Sequence, residues 1–368
     1  MLRNASIPAY REESTRENRI PVTVLTGFLG SGKTTLLSKL LAMPGMDRVA
    51  VIINEFGEVG LDHLLVARPS ENVTLLSSGC LCCSIRGDLV MTLDDLLARS
   101  RRGEIPEFTR VVVETSGLAD PAPIVHAVIA DAQTAAEYRL DGVITTVDAV
   151  NGESSLDRHY ESVKQAAIAD SLLLTKADLT EPAARERLAA RLGRLNRRAR
   201  QLEVRHGEVE PGVLFDISPS GREIADWLDL VEHSAGGGAN PHLAHGPHDA
   251  AINTFSLVYD GPIREAGLDL WMDMLGVYRG PDLLRVKGLL NVEERPVVIN
   301  GVQHVFHSPV TLAEWPSADR RSRIVFITRG LARGDLERTL SAFGFALPAP
   351  GLSRAGYARF VEAMKNFR

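Results

Sequence analysis

Through about residue 220 the chain alternates short, uninterrupted apolar runs with longer stretches in which leucine and alanine recur at helical spacing. The runs "PVTVLTG", "RVAVIIN", "NVTLLSS", "RVVVETS", "DGVITTV", "SLLLTK" and "QLEVRH" read as strands. The periodic stretches "KTTLLSKLLA", "GDLVMTLDDLLARS", "PAPIVHAVIADAQTAAEY", "HYESVKQAAIA" and "PAARERLAARLGRLNRRA" read as helices. Strands that are apolar at every position, rather than at alternate ones, fit a mostly parallel sheet covered on both faces, so the predicted class is α/β. In such sheets ligands bind outside the carboxyl ends of the strands.

After Ile217 the alternation stops. "HSAGGGANPHLAHGPHD" is rich in glycine and histidine without a period and reads as a linker, whose His233, His242, His245 and His248 are candidate metal collectors or simply part of a tether. Beyond it, "INTFSLVYDG", "DLLRVKGLLNV", "RPVVINGVQHVFHS" and "SRIVFITRG" read as strands, and "EAGLDLWMDMLGVYR" and "GDLERTLSAFG" as helices. A smaller α+β domain with an antiparallel sheet and helices on one face is expected. The predicted division is a tail over 1–20, the α/β domain over 21–220, a linker over 221–250 and the α+β domain over 251–368.

Composition narrows the class without naming it. Hydrophobic residues make up 45% of the 368 and charged residues 24%, which is ordinary for a globular chain. A net charge of −6 with interleaved signs predicts neither nucleic-acid nor membrane partners. With no apolar core in the first twenty residues and no spanning segment later, the expected location is cytoplasmic.

The first chemical signal sits between a strand and a helix. "GFLGSGKTT" matches the phosphate-binding spacing G-x-x-x-x-G-K-[ST] in full, with Gly27, Gly30, Ser31, Gly32, Lys33, Thr34 and Thr35 as candidate nucleotide-binding residues. Glycines let backbone N–H groups converge on a polyphosphate at the helix start; Lys33 neutralises phosphate charge, and the Thr34 hydroxyl suits Mg²⁺. Two more strand ends bring acids to the same rim. "VVVETSG" offers Glu114, to orient water or support Mg²⁺, and Gly117, whose N–H can face a γ-phosphate. "LLLTKAD" offers Thr175, Lys176 and Asp178, the last a carboxylate able to accept from guanine N1–H and the 2-amino group, which adenine lacks. Ser218 is a candidate cap for the base pocket or an ordinary turn serine.

All three cysteines fall in "SGCLCC", at Cys80, Cys82 and Cys83. Thiolates so crowded in a reducing compartment point to a soft metal such as Zn²⁺ or Co²⁺ rather than a disulfide framework. Cys82 and Cys83 are adjacent, so three sulfurs reach one ion only if the backbone turns sharply; further donors could be Glu55, Glu58 or His126, the last more simply a packed histidine. A reversible disulfide in a redox-regulated P-loop NTPase is the competing use, although the vicinal pair would close a strained ring. A P-loop small-molecule kinase would need neither "TKAD" nor the thiols.

In that order, "GFLGSGKTTLL", "NEFGEVGLD", "SGCLCC", "VETSGLADP" and "LLLTKAD" closely resemble the CobW-type P-loop GTPases, and "RVKGLLNVEERPVVINGVQHVFHSP" is similar to their second domain. The resemblance implies a P-loop GTPase domain followed by a CobW-type domain. It implies GTP hydrolysis with Mg²⁺, with Lys33, Thr34 and Glu114 as the catalytic set. It also implies a metallochaperone that carries zinc on Cys80, Cys82, Cys83 and Glu55 to a client metalloprotein, with cobalt handling in cobalamin synthesis as the alternative. An exchangeable ligand position would allow a metal-linked homo-oligomer. Thr175 stands where many GTPases have asparagine, and supplies a hydroxyl but no amide.

Overall fold

A computed structural model describes residues 11–12, 19–54, 73–76, 85–215, 252–346 and 365. Among them, 19–215 with 252–254 form one compact unit and 11–12 with 255–346 belong to a second.

Seven strands build the first unit: β1 (Ile20–Gly27), β2 (Val49–Asn54), β3 (Val73–Leu76), β4 (Arg110–Thr115), β5 (Tyr138–Asp148), β6 (Ser171–Thr175) and β7 (Arg200–Glu203). They lie in the order β3, β2, β4, β1, β5, β6, β7, and every pairing is parallel. Residues 21–27 of β1 are all buried, as an apolar strand covered on both faces requires. Leu36, Leu37 and Leu40 of α1 (Lys33–Leu41) share one core with Leu25, Val51, Val112, Ile144 and Leu173 from five strands. Each such leucine contributes roughly 1.5–3 kcal/mol by leaving water.

The order of the sheet positions the site. From β1 the chain steps out to β2 and β3, returns to insert β4 beside β1, and then continues through β5 on β1's other side. The carboxyl end of β1 is thus the switch point, where ligands of open α/β sheets bind.

The other helices of this unit are α2 (Ile85–Arg101), α3 (Ala122–Ala130), α4 (Thr134–Glu137), α5 (Gly152–Arg158), α6 (Tyr160–Ile168) and α7 (Pro182–Leu195), followed by a single turn at Pro211–Leu214. The stretch 121–138, expected as one helix, is broken: Asp131 is extended and its carboxylate accepts from Thr134 N at 2.9 Å, starting α4 afresh, while Tyr138 already opens β5. The stretch 182–199 ends early at Leu195. Asn196 donates its amide to the carbonyls of Ala166, Ala167 and Ala169 and accepts from Arg198 N and Ala199 N, leaving the helix to cap the end of α6. Helix α5 lacked a periodic signal because only Gly152 and Leu156 of its seven residues are buried.

In the second unit, β8 (Ile252–Tyr259, which enters it at Phe255), β9 (Leu283–Val292), β10 (Arg295–Val302), β11 (Val305–Phe306), β12 (Val310–Thr311) and β13 (Ser322–Arg329) form one sheet, joined by the two-residue strand Arg11–Glu12 in parallel with β12. The pairings of β9 with β10 and β13, and of β10 with β11 and β12, are antiparallel. The run 295–308 is two strands because Gln303, at φ 53°, turns the chain between them. Helix α8 (Glu265–Arg279) and α9 (Arg333–Glu337), continued as a 3-10 helix through Gly344, supply Trp271, Leu336 and Phe343 to a core with Phe326, Val286 and Val297.

Candidate functional site

Gly27 ends β1 at φ 144°, and a Cβ there would lie 2.4 Å from the carbonyl oxygen of Thr146, so only glycine lets the chain leave the strand beside β5. The loop then curls to Gly32, which starts α1 with no side-chain cap. A helix start without a side-chain cap directs its first N–H groups and positive dipole end at whatever occupies the rim, which suits an anionic phosphate. Lys33, 8% exposed, folds its ammonium onto the carbonyls of Gly27 at 2.9 Å and Phe28 at 3.3 Å, so the cation sits within the loop's arc.

Glu114 arrives from the neighbouring strand. Its register partner in β1 is Leu25, and it is 4% exposed. Thr34 donates its hydroxyl to Glu114 Oε1 at 2.6 Å. An ionised carboxylate only accepts, so the Thr34 proton points at Glu114 and the oxygen's lone pairs point elsewhere. A hydroxyl oxygen held this way, beside a carboxylate and next to a phosphate cradle, fits Mg²⁺, which takes oxygen ligands and keeps several waters.

The loop after β4 packs directly on the phosphate loop: a Cβ on Gly117 would fall 2.6 Å from Leu29 N. Gln165 of α6 donates through Nε2 to Gly117 O at 3.2 Å and Ala119 O at 3.0 Å. Lys164 donates to Asp120 at 2.5 Å, and His159, at the start of α6, stacks on Phe28 with ring centroids 4.5 Å apart.

On the other side, Thr175 donates to Ser31 O at 2.6 Å and lies 3.2 Å from Val147 O, while the Ser31 hydroxyl bonds that of Thr146 at 2.7 Å. Lys176, in the left-handed region at φ 56°, donates to Gly30 O at 2.9 Å and pairs with Asp148 at 2.7 Å. Asp148 also accepts from Val150 N, Asn151 N and the Asn151 amide. Burial alone would push its carboxyl up, but these donors, Lys176 foremost, outweigh burial and hold it below the usual range. Asp178 accepts from His206 N at 2.9 Å, and His206 Nδ1 lies 3.2 Å from its second oxygen.

One cluster therefore gathers Gly27, Gly30, Ser31, Gly32, Lys33, Thr34, Glu114, Gly117, Thr175 and Lys176, with Thr35 in the first turn of α1 and Asp178 just beyond Lys176. Glu55, Glu58, Cys80, Cys82, Cys83, Ser218 and the four linker histidines lie outside the described residues. The strands that lead to the first five, β2 and β3, end in register at Asn54 and Leu76 on the same rim. His126 is buried in α3, and no group of three His, Cys, Asp or Glu able to hold a metal occurs among the described residues. Nor, among them, is any helix long and apolar enough to cross a membrane. The reading of the chain missed Asp148, Asn151, His159, Lys164, Gln165 and His206. Asp148 carried the same signal as Glu114, an acid at the end of an apolar strand.

The description "CobW/HypB/UreG, nucleotide-binding domain" matches residues 21–203, and "Cobalamin synthesis protein cobW C-terminal domain" matches 252–344. The zinc chaperone YjiA of Escherichia coli is 35% identical over 317 residues, which is 84% of this chain and 94% of that protein. Zinc-regulated GTPase metalloprotein activator 1 of Saccharomyces cerevisiae is 29% identical over 88% of this chain and 83% of its own length. The crystal structure of Zn(II)-bound YjiA GTPase from E. coli superposes with a TM-score of 0.63 at 31% identity, covering 89% of this chain and 99% of that one. With a phosphate cradle at the sheet's switch point and both domain patterns matched in order, the chain belongs to the CobW/HypB/UreG family and carries its nucleotide-binding domain.

Proposed function

We propose that this protein is a zinc metallochaperone that binds and hydrolyses GTP with Mg²⁺ and uses that cycle to pass zinc to a client metalloprotein. The observation that carries the reading is the bond between Thr34 and Glu114 at the mouth of the phosphate loop, on the rim where β2 and β3 lead into the segments holding Glu55 and the cysteines. Its relatives named as zinc chaperones and as a zinc-regulated GTPase metalloprotein activator support the cargo and the nucleotide.

In this reading the start of α1 and Lys33 hold the β- and γ-phosphates. Thr34 would ligate Mg²⁺, which supplies charge neutralisation to the phosphates, and Glu114 would fix the Thr34 hydroxyl and orient attacking water. Asp178 selects guanine. Cys80, Cys82, Cys83 and Glu55 are the proposed zinc ligands, thiolates being suited to that ion and an open position suiting release. Metal analysis of the purified protein with GDP and with a non-hydrolysable GTP analogue, alongside phosphate release, tests it. Zinc bound in one nucleotide state and shed in the other, with Mg²⁺-dependent turnover of GTP, is the expected outcome; a protein that neither turns over GTP nor retains zinc would refute it.

A further inference from the structure

Gln165 lies in the middle of α6 and is 1% exposed. Its amide has two protons, and the loop after β4 offers it two carbonyls, Gly117 O and Ala119 O, both within hydrogen-bond distance of Nε2. The other end of the amide, Oε1, is buried with no hydrogen-bond partner among the described residues. Turned over, the amide would press its oxygen against two carbonyl oxygens, so the loop fixes its orientation. A helix that needed only packing at this position would be better filled by leucine or methionine, which leave no buried acceptor unpaired.

The same helix holds the loop at Asp120 through Lys164 and touches the phosphate loop through the stack of His159 on Phe28. The loop in turn abuts Leu29 at Gly117. Residues 117–120 are therefore set against the phosphate loop from one side by α6, and Gln165 donates to two of their four carbonyls. On the GTP-hydrolysing reading above, Gly117 is the backbone that meets a γ-phosphate.

We propose that Gln165 is a positioning residue, which touches no nucleotide itself but holds the Gly117–Ala119 turn in the conformation that distinguishes GTP from GDP. GDP lacks the γ-phosphate that would meet Gly117, and the two bonds of the Gln165 amide go to that turn and not to the phosphate loop. If the turn is held only part of the time, the apparent affinity for a γ-phosphate falls by the competent fraction, while that for GDP does not.

The test is Gln165→Met in the full-length chain, with dissociation constants for a non-hydrolysable GTP analogue and for GDP measured by displacement of a fluorescent GDP, and single-turnover hydrolysis alongside. The analogue should weaken by about tenfold, the size expected when two buried carbonyls lose their donor, while GDP changes by less than about twofold. A purely structural role would weaken both ligands together, and that result, or an unchanged ratio, overturns the assignment. Lys164→Met, which removes a half-buried partner of the same loop, should shift the ratio in the same direction and decides the matter if Gln165→Met does not fold. Hydrolysis by the unmodified protein separates the two ideas: its absence would overturn the GTPase reading and this proposal with it, whereas its presence with an unaltered ratio in both variants overturns only the role of Gln165.

Discussion

Thr34 and Glu114, eighty residues apart in the chain, are joined by a hydrogen bond of 2.6 Å from the threonine hydroxyl to the carboxylate. The bond exists because β4 is inserted beside β1 with Glu114 opposite Leu25, two residues before the phosphate loop begins. It ties a strand-end acid to the first turn of α1, and it fixes the direction of the hydroxyl rather than leaving it to rotate, as the proposed Mg²⁺ ligand requires.

Glu114→Gln is expected to reduce Mg²⁺-dependent GTP hydrolysis by at least about 100-fold, the lower end of the range for a positioned acid or base. The amide keeps the size of the side chain but can present its NH₂ to Thr34, which turns the hydroxyl around. Thr34→Ala should do the same and raise the Mg²⁺ concentration needed for half-maximal turnover. A Mg²⁺ titration of phosphate release for both variants, with GDP binding in the absence of the ion as control, checks it; turnover within about threefold of the parent would reject the role of the pair, on the same scale.

Asp148→Asn probes the opposite wall. Asp148 accepts from four donors, one of them Lys176, which in turn holds Gly30 O. An amide must place its own NH₂ against one of those donors, so the variant should lose about 1–3 kcal/mol of stability and bind every nucleotide more weakly. The pH dependence has a definite sign. Because the folded carboxyl titrates below its unfolded value of about 3.9, its contribution is whole above that pH and is lost as pH falls through the lower folded value. Urea midpoints measured from pH 6 downwards should fall more steeply for the parent than for the variant below about pH 4; parallel curves would show that the pair adds nothing.

Guanine selectivity is expected to rest on Asp178 and not on Thr175. Thr175 spends its hydroxyl on Ser31 O and lies against Val147 O, so it tethers the phosphate loop to β6. Thr175→Ala should therefore weaken all nucleoside triphosphates alike. Asp178→Asn should move preference by at least about tenfold from GTP towards xanthosine triphosphate, whose 2-oxo group accepts from an amide where guanine donates. The asparagine oxygen can still accept from His206 N, so the fold is preserved. Competition among GTP, inosine and xanthosine triphosphates decides between a base-reading carboxylate and one that only fastens the loop at His206.

The parts of this site that were legible in the chain are those where backbone geometry dictates the residue. Gly27 cannot carry a Cβ beside Thr146, and apolar runs such as "VVVET" must lie between two covering layers, so both leave a local mark. What stayed hidden depends on partners distant in sequence. Nothing near Gln165 announces that its amide will meet Gly117, nor does "VRHGE" reveal that His206 at φ 55° will face Asp178. The break at Asp131 was obscured for a related reason, since alanine-rich flanks favour one long helix until the aspartate's own carboxylate competes for the backbone.

The last prediction couples nucleotide to zinc. The first unit's core is made by β1 to β7 and the helices packed on them, with Leu25, Leu36, Val112 and Ile144 meeting in one cluster, so removal of zinc with a chelator should leave the thermal unfolding transition of this unit within a few degrees of its original midpoint. Zinc affinity should still depend on nucleotide, and by linkage zinc must change nucleotide affinity by the same factor. For coupled sites that factor is about 5- to 150-fold, or about 1–3 kcal/mol. Serine at Cys80, Cys82 or Cys83 keeps the size of the side chain but not the soft thiolate, and should abolish the coupling while basal GTP hydrolysis stays within about threefold, since Thr34 is held by Glu114 and Lys33 by the carbonyls of Gly27 and Phe28. Competition with a chromophoric chelator in the apo, GDP and GTP-analogue forms reads the factor directly. Identical zinc affinity in all three would leave a GTPase that binds zinc without gating it.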